Sequence, residues 1–340
     1  MKFHQQWFAA AMFAVWLGAL AAAPGRCDAG SGADPLPELG GNASAETALA
    51  AAATDGPSAA DLERIAKMTS NPLGAAWMLW WQNDLTEVRG DLVPGGELVN
   101  TTRFQPVMSF PLDPNGADWN LIVRPVIQYQ SVPLDADVGR LLSASPETIT
   151  SEPELSRILP TAWDDRTNGF GDTALLTLVG PNRLDGFIWG VGASQIFPTA
   201  ERDVLGQGKW QAGPAFLAAK LAPKPGGFNI GALAQHWWSY AGDSDRAATN
   251  QTDIQYFINY RLSGTQLIGM SPNITIDWTA DSGNQLTLPV GLGYSNVYKI
   301  GPLPVRVAIE AQYSLIAPDN VGRDWNLRLL FIPVIPNPFR

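Results

Sequence analysis

The stretch Ile268-Gly-Met-Ser-Pro-Asn-Ile-Thr-Ile-Asp-Trp278 alternates between apolar and polar side chains without a break. Isoleucine, methionine, proline and tryptophan occupy one parity, and glycine, serine, asparagine, threonine and aspartate occupy the other. Successive side chains of a β-strand point to opposite faces, so the segment predicts a strand with one apolar face and one polar face. A strand of this kind suits a wall that separates lipid from water.

Segments of the same kind continue from residue 75 to the C-terminus. Their lengths suit a tilted crossing of the hydrocarbon layer, and their even number is what a closed antiparallel barrel requires in a bacterial single chain. We therefore predict an all-β fold, an antiparallel 12-stranded transmembrane β-barrel over residues 73–340. The predicted strands are residues 75–83, 98–110, 118–131, 169–180, 185–198, 208–222, 227–240, 251–262, 265–279, 284–298, 303–316 and 324–336.

A soluble β-sandwich is the alternative fold that also produces alternation. Its exposed faces would be polar, and its aromatic side chains would lie in mid-strand within the core. Aromatic rings here gather towards the strand ends, where they favour the interface between lipid and water. The residues concerned are Trp80, Trp81, Trp119, Trp210, Trp237, Trp238, Tyr240, Trp278, Tyr294 and Trp325.

The connections between predicted strands fall into two sets. With the N-terminus in the periplasm, the external loops are mostly long and acidic, whereas the periplasmic turns at 181–184, 223–226 and 263–264 are tight. This asymmetry is typical of outer-membrane barrels. The predicted external loops include residues 84–97, 132–168, 199–207, 241–250 and 317–323.

Four prolines inside predicted strands argue against uninterrupted ladders. Each proline lacks the N–H that a ladder position needs, and central strands normally avoid the residue. We expect local bulges at Pro106, Pro125, Pro214 and Pro272.

Composition and charge argue against a helical membrane protein and against a nucleic-acid-binding protein. Hydrophobic residues make up 46% of the chain and charged residues 16%. No stretch after residue 23 is apolar over the roughly 18 residues that a membrane-spanning helix needs. The formal net charge is -10 and there is no basic arm, so nucleic acid is not a predicted partner.

The N-terminus resembles a secretory signal peptide. Met1-Lys2 supplies the positive end and residues 7–23 form an apolar run, with small-residue cleavage motifs at 19–21 and at 27–29. We assign residues 1–29 to the signal. Cys27, the single cysteine of the chain, would be removed with it, and Arg26 before it does not fit a lipoprotein motif.

A flexible linker and a short helix are predicted over residues 30–72. Residues 30–57 are rich in Ala, Gly, Ser, Pro and Asp and have no periodicity. Ser58 and Asp61 resemble a capping box, and Asn71-Pro72 would end the helix. The sequence is compatible with a periplasmic helix that enters the lumen and with one that remains outside it.

A set of ordered motifs resembles a family of uncharacterised outer-membrane barrels. That family is related to the barrels grouped with the meta-pathway phenol degradation proteins, and its members are often labelled transporters or, wrongly, neuromedin U. The resemblance covers about residues 70–336 and implies a 12-stranded barrel with a channel role for small, hydrophobic molecules. The final Phe339-Arg340 departs from the terminal aromatic residue that barrel assembly machinery recognises. The motifs are Gly169-Phe-Gly-Asp172, Phe187-Ile-Trp-Gly-Val-Gly192, Pro198-Thr-Ala200, Gly206-Gln-Gly-Lys-Trp-Gln-Ala-Gly-Pro214, Trp238-Ser-Tyr-Ala-Gly-Asp243, Asn250-Gln251 and Asp277-Trp-Thr-Ala-Asp-Ser-Gly-Asn284.

Charged residues on the lumen parity are the candidate pore lining. Rings of such side chains select permeating solutes in channels. The alternative is that they pair across a filled lumen and only stabilise the barrel, since twelve strands lie between filled and open barrels. The candidates are Arg103, Arg124, Asp253, Arg261, Asp277, Arg306, Glu310 and Arg328.

A lipase-type barrel enzyme is a less favoured alternative. Such an enzyme needs a serine activated by a histidine. After signal cleavage His236 is the remaining histidine, and nearby Ser239 falls on the opposite strand face. No catalytic residue, cofactor or metal site is therefore predicted, and the aspartates of the external loops are expected to be solvated.

The predicted function is an outer-membrane channel or transporter. Small solutes, hydrophobic ones among them, would diffuse passively through a charged lumen. The alternative is a closed barrel with a structural or envelope-interaction role. Expected partners are outer-membrane lipids, the barrel assembly machinery and a small-molecule solute.

Overall fold

The computed structural model describes residues 58–71, 73–74, 76–112, 118–135, 162–163, 165–183, 185–301 and 303–339. The predicted signal peptide, the predicted linker and most of the predicted loop 132–168 lie outside the described residues.

Within those residues the chain forms the helix α1, a short 3-10 helix (Asp203–Leu205) and a closed antiparallel barrel. The segments β4 and β5 follow one another along β3, and β10 and β11 follow one another between β9 and β12, so fourteen segments make twelve barrel strands. Because β1 pairs with β14, the sheet closes, as predicted. The elements are α1 (Ala59–Ser70), β1 (Trp77–Gly90), β2 (Val93–Pro111), β3 (Trp119–Val132), β4 (Thr167–Phe170), β5 (Thr173–Pro181), β6 (Gly186–Phe197), β7 (Lys209–Leu221), β8 (Phe228–Gly242), β9 (Asn250–Arg261), β10 (Leu267–Met270), β11 (Asn273–Asp277), β12 (Leu286–Ile300), β13 (Leu303–Ile316) and β14 (Gly322–Ile335).

The two faces of the strands are as the alternation predicts. On β10 and β11, Asn273 and Thr275 face the lumen and are 3% and 4% exposed. Ile268 and the nearby Trp278 face outwards and are 37% and 53% exposed. Among the described residues, no helix has the length and apolar character needed to cross a membrane.

The predicted external loop 84–97 is wrong. β1 continues to Gly90 and β2 begins at Val93, so a tight hairpin joins them. Both faces of this hairpin carry polar residues, which removes the alternation that revealed the other strands. Asp84, which the prediction placed in a loop, is a buried lumen residue.

The predicted bulges at the four prolines are also wrong. Pro106 and Pro125 lie opposite each other on β2 and β3, where pairing is interrupted but the register is the same on both sides. The register is likewise kept across Pro214 and across Pro272, which separates β10 from β11. A proline removes one donor without adding a residue, so the ladder loses hydrogen bonds locally and its register does not shift.

Two of the aromatic residues predicted at the lipid interface face the lumen instead. Trp237 is buried, and its indole Nε1–H donates to Ser194 Oγ at 3.0 Å. Trp80 lies inside the barrel under the guanidinium of Arg124, whose carbon is 5.4 Å from the ring centroid. Large rings therefore occupy lumen space that the sequence prediction had left to polar groups.

Helix α1 closes one end of the lumen, which we name the turn end because the tight turns are there. Its predicted capping box is present: Ser58 N–H donates to Asp61 Oδ2 at 3.0 Å, and Asp61 N–H donates to Ser58 Oγ at 3.2 Å. The Ser58 hydroxyl and N–H hold the pKa of Asp61 below its usual value. Ile65, Ala66 and Met68 are buried against apolar residues of the barrel interior.

Arg306 on β13 is the main polar anchor of α1. Its guanidinium donates to Ala66 O at 2.8 Å, to Ser70 Oγ at 2.9 Å and to Thr69 Oγ1 at 3.0 Å. Three acceptors near the end of the helix, one carbonyl and two hydroxyls, are thereby satisfied away from water. A helix end buried in a barrel without such a partner would leave its last carbonyls unsatisfied. We name α1 together with Leu73, which packs beside it, the plug.

Replacing Arg306 should release the plug. We expect Arg306→Ala to raise the rate of trypsin cleavage after Arg64 and Lys67 by about tenfold or more, because several charge-assisted hydrogen bonds are lost. Arg261→Ala is the matched control, since Arg261 is also buried at the turn end but donates to Ala222 O and Gly264 O. Equal cleavage of the two variants would contradict this role of Arg306.

Candidate functional site in the barrel lumen

A network of buried charged and amide side chains crosses the lumen and is named here the polar layer. Asp84 on β1 is at its centre. Its carboxylate accepts from Arg328 Nε at 2.8 Å, from Asn326 Nδ2 at 3.0 Å and from Arg103 Nη1. Both ion pairs are almost wholly removed from water. The polar layer comprises Gln82, Asp84, Arg103, Gln105, Arg124, Asp253, Asn273, Glu310, Gln312, Arg323, Asn326 and Arg328.

Arg328 links the two sides of the polar layer. Its Nη1 donates to Ser271 O at 2.9 Å and its Nη2 to Asn273 Oδ1 at 3.2 Å. Glu310 accepts from Ser271 N–H at 2.9 Å and from Gln312 Nε2 at 2.9 Å. Hydrogen bonds inside the lumen therefore join β14 to the broken strand β10–β11, although β13 and β12 lie between them in the sheet.

The charges of the polar layer are held by neighbours from several strands. Burying an ionised group is costly unless it is paired and hydrogen-bonded. Gln105 Oε1 accepts two hydrogen bonds from the Arg124 guanidinium, from Nε at 3.1 Å and also from Nη2. Asn273 Nδ2 donates to Asp253 Oδ1 at 3.1 Å, and Arg323 Nη2 donates to Asn273 O at 3.0 Å.

The eight predicted pore residues separate into three groups. Arg103, Arg124, Asp253, Glu310 and Arg328 meet in the polar layer. Arg306 holds the plug and Arg261 bonds to backbone at the turn end, so neither belongs to the polar layer. Asp277 lies towards the opposite end, where its Oδ1 accepts from Thr279 N–H at 2.8 Å.

Sequence reasoning missed Asp84 and Arg323. Asp84 shares the parity of Trp80 and Gln82, and extending that parity beyond residue 83 would have placed it inside. The pairing of β1 with β14 shifts by one residue between Thr86 and Val88. Arg323 lies beyond that shift, so it is buried in the lumen although its sequence parity differs from that of Asn326 and Arg328. No sequence signal reveals such a shift.

An apolar cavity of about 150 Å³ lies between the polar layer and the plug. Arg124, Glu310 and Arg328 border it on the polar side, and Thr69 and Ser70 border it on the plug side. The sequence prediction of a charged lumen is therefore correct for only part of its length. Apolar wall residues include Met78, Val107, Ile122, Leu176, Leu178, Leu217, Leu233, Leu330 and Ile332.

The barrel wall is interrupted beside this cavity. Between β10–β11 and β12, pairing stops after Gly269 and resumes at Thr275. Tyr256 Oη reaches across the break and donates to Pro289 O at 2.7 Å, while Met270 Sδ lies 3.5 Å from Gly291 N. We name this the wall gap; the cavity borders it through Gly269, Gly293 and the outward-facing Tyr294 and Ile309.

Loop residues cover the other end of the lumen, which we name the loop end. Leu205, in a short 3-10 helix, is fully buried, and its carbonyl accepts from Gln130 Nε2 at 3.2 Å. Arg246 donates to Asp203 O at 3.0 Å and to Gly206 O at 2.6 Å, and burial lowers the pKa of its guanidinium. The described loops therefore pack inwards over the barrel.

The structure does not bring His236 and Ser239 together. His236 lies on the outer face, as predicted, with Nδ1 2.6 Å from Thr252 Oγ1 and its ring centroid 4.1 Å from that of Trp238. Ser239 Oγ instead accepts from Thr249 N–H at 2.9 Å. Among the described residues, no group of three or more potential metal ligands is assembled.

Comparison with solved structures supports the fold. The sequence matches no protein-family model and no curated protein. An outer-membrane channel from Pseudomonas putida F1 is similar with a TM-score of 0.55 and 13% identity, over 77% of this chain and 96% of that one. The toluene transporter TodX of P. putida has a TM-score of 0.34 and 8% identity, over 76% and 89%, which is too dissimilar to support an argument. The chain therefore shares the architecture of outer-membrane barrels, and its resemblance to the phenol degradation barrels stays a prediction.

Removing the carboxylate at the centre of the polar layer should destabilise the barrel. We expect Asp84→Asn to lower the free energy of unfolding by about 3–5 kcal/mol, because two buried arginines lose their counter-charge. Urea unfolding in lipid vesicles, followed by tryptophan fluorescence, measures the change. Asp324→Asn is the control: it removes the ion pair with the exposed Arg89 and should change the free energy of unfolding far less. Equal losses in both variants would refute the central role of Asp84.

Proposed function

We propose that this protein is an outer-membrane channel for small apolar molecules, which bind in the cavity between the polar layer and the plug. The cavity is the observation that supports the proposal most directly. A protein cavity of about 150 Å³ with apolar walls holds one benzene molecule. The expected solute is therefore a single aromatic ring or an aliphatic molecule of similar volume.

A membrane location follows from the outer surface together with the export signal. Large apolar side chains face outwards around the barrel, and such a surface is stable in a bilayer rather than in water. The predicted signal peptide directs the chain out of the cytoplasm. The similar barrel of P. putida F1 is described as an outer-membrane channel, which is consistent with the same role here.

The lumen offers little to a hydrophilic solute. The ionised groups of the polar layer are already bonded to one another or to neighbouring amide and backbone groups, so a polar solute would have to replace those bonds in order to pass. The plug closes the turn end and inward-packed loop residues cover the loop end. Permeation of ions is accordingly expected to be slow.

The wall gap is the proposed route between the cavity and the membrane. Backbone hydrogen bonds there are already absent, so separating β11 from β12 breaks fewer bonds than at an intact ladder. On the outer side, the side chains of Tyr256 and Met270 bridge the gap. An apolar molecule dissolved in the outer leaflet would thus reach the cavity without crossing the polar layer.

Filling the cavity should weaken the binding of an apolar ligand. We expect Leu217→Trp to weaken the binding of fluorobenzene by about tenfold or more, because the larger ring occupies the ligand's space. Fluorine NMR of the protein in lipid nanodiscs, with empty nanodiscs as the blank, measures the dissociation constant. Leu329→Trp adds the same side chain to the lipid-facing surface and should leave binding unchanged. If the wild-type barrel does not bind fluorobenzene, the closed structural barrel becomes the better description.

Cross-linking the wall gap should stop uptake. Met270 and Leu292 lie opposite each other by register on the outer face of the gap, so a Met270→Cys and Leu292→Cys pair joins its two sides when oxidised. We expect uptake of radiolabelled styrene by cells carrying the oxidised variant to fall several-fold and to recover with a reductant. Val307→Cys with Phe331→Cys, across the intact β13–β14 ladder, is the matched control. Uptake that persists in the oxidised gap variant would refute this route.

A further inference from the structure

We propose that the cavity selects apolar molecules that carry a hydrogen-bond acceptor, such as single-ring aldehydes, ketones and esters, and that the indole N–H of Trp80 is the donor that recognises them. This inference rests on the proposed function, because it assumes that the cavity binds a ligand. It goes further by naming the chemical class of that ligand and the residue that determines it.

Trp80 presents a donor that the protein itself does not satisfy. The residue lies on the lumen face of β1 and borders the cavity. Its Nε1 is buried and has no hydrogen-bond partner among the described residues. An indole can only donate, and leaving a buried donor unpaired costs about 1–3 kcal/mol. A ligand acceptor in the cavity would recover that free energy, whereas a hydrocarbon would not.

The charges around Trp80 favour an acceptor over a second donor. The Arg124 guanidinium lies over the indole ring, and Arg124 and Arg328 both border the cavity. Glu310 is the one carboxylate among the described lining residues, and it already accepts from Ser271 and Gln312. The partial negative charge of a carbonyl oxygen is stabilised in this field, and an ammonium group is repelled.

The opposite side of the cavity suits the apolar body of the same ligand. Ile122, Leu178 and Leu217 are almost fully buried and contribute only hydrocarbon surface to the lining. A single-ring carbonyl compound therefore matches both parts of the cavity: its ring fills the apolar part and its oxygen lies on the side that Trp80 and Arg124 border. Plain hydrocarbons match the first part alone.

Trp237 provides the matched comparison within the same barrel. It is also a buried lumen tryptophan, but its N–H donates to Ser194 Oγ at 3.0 Å and it does not line this cavity. Replacing Trp237 by phenylalanine removes an N–H that is already satisfied. Any effect specific to Trp80→Phe is then attributable to the unpartnered donor rather than to the loss of an indole.

Binding of an isosteric pair tests the proposal. Para-fluorobenzaldehyde and para-fluorostyrene differ by a carbonyl oxygen in place of a methylene group, and fluorine NMR in nanodiscs gives both dissociation constants, each corrected for partition into empty nanodiscs. In the wild type and in Trp237→Phe we expect the aldehyde to bind about fivefold more tightly, the value of one net hydrogen bond. In Trp80→Phe this ratio should fall to about one.

The styrene separates the possible failures. Trp80→Phe should bind it with an affinity within about twofold of the wild type, which shows that the cavity is intact. An aldehyde preference that is absent in the wild type, or that survives in Trp80→Phe, overturns the role of Trp80 while leaving the proposed function standing. Failure of the wild type to bind either compound overturns both.

Discussion

Closure of the sheet between β1 and β14 is the constraint on which the other features depend. A bilayer offers no water to unpaired backbone groups, so a strand in it is stable only when both of its edges are bonded. Closure also creates an enclosed lumen, where side chains are removed from water as in a protein core. The polar residues of the inner face must therefore satisfy one another.

The lumen meets this requirement in two different ways along its length. In the polar layer, Asp84 and the arginines around it form ion pairs and amide contacts that bridge several strands. Towards the turn end, apolar lumen residues pack against the plug, and Arg306 satisfies acceptors at the C-terminal end of α1. The cavity is the space that neither arrangement fills, so its chemistry is polar on one side and apolar on the other.

The imperfections of the barrel wall coincide with this space. Pro272 interrupts the alternating segment 268–278, and the pairing of this segment with β12 is missing there without a shift of register. Trp80 leaves an indole N–H unpaired at the same cavity. Missing hydrogen bonds are costly in both places, and the proposed ligand of the cavity would supply a physical reason for tolerating them.

Sequence patterns predicted the strands except the hairpin within residues 84–97, their two faces and the capping box of α1. They also placed the following residues on the lumen side: Arg103, Arg124, Asp253, Glu310 and Arg328. These follow from local periodicity, because a strand's parity decides the face of every side chain. The assembled barrel places Asp84 at the centre of the polar layer, brings Arg306 against the plug and makes the lumen apolar towards the turn end. Parity gives a side chain its face but neither its depth along the barrel nor its neighbour across the lumen, since both depend on how twelve distant segments align when the sheet closes.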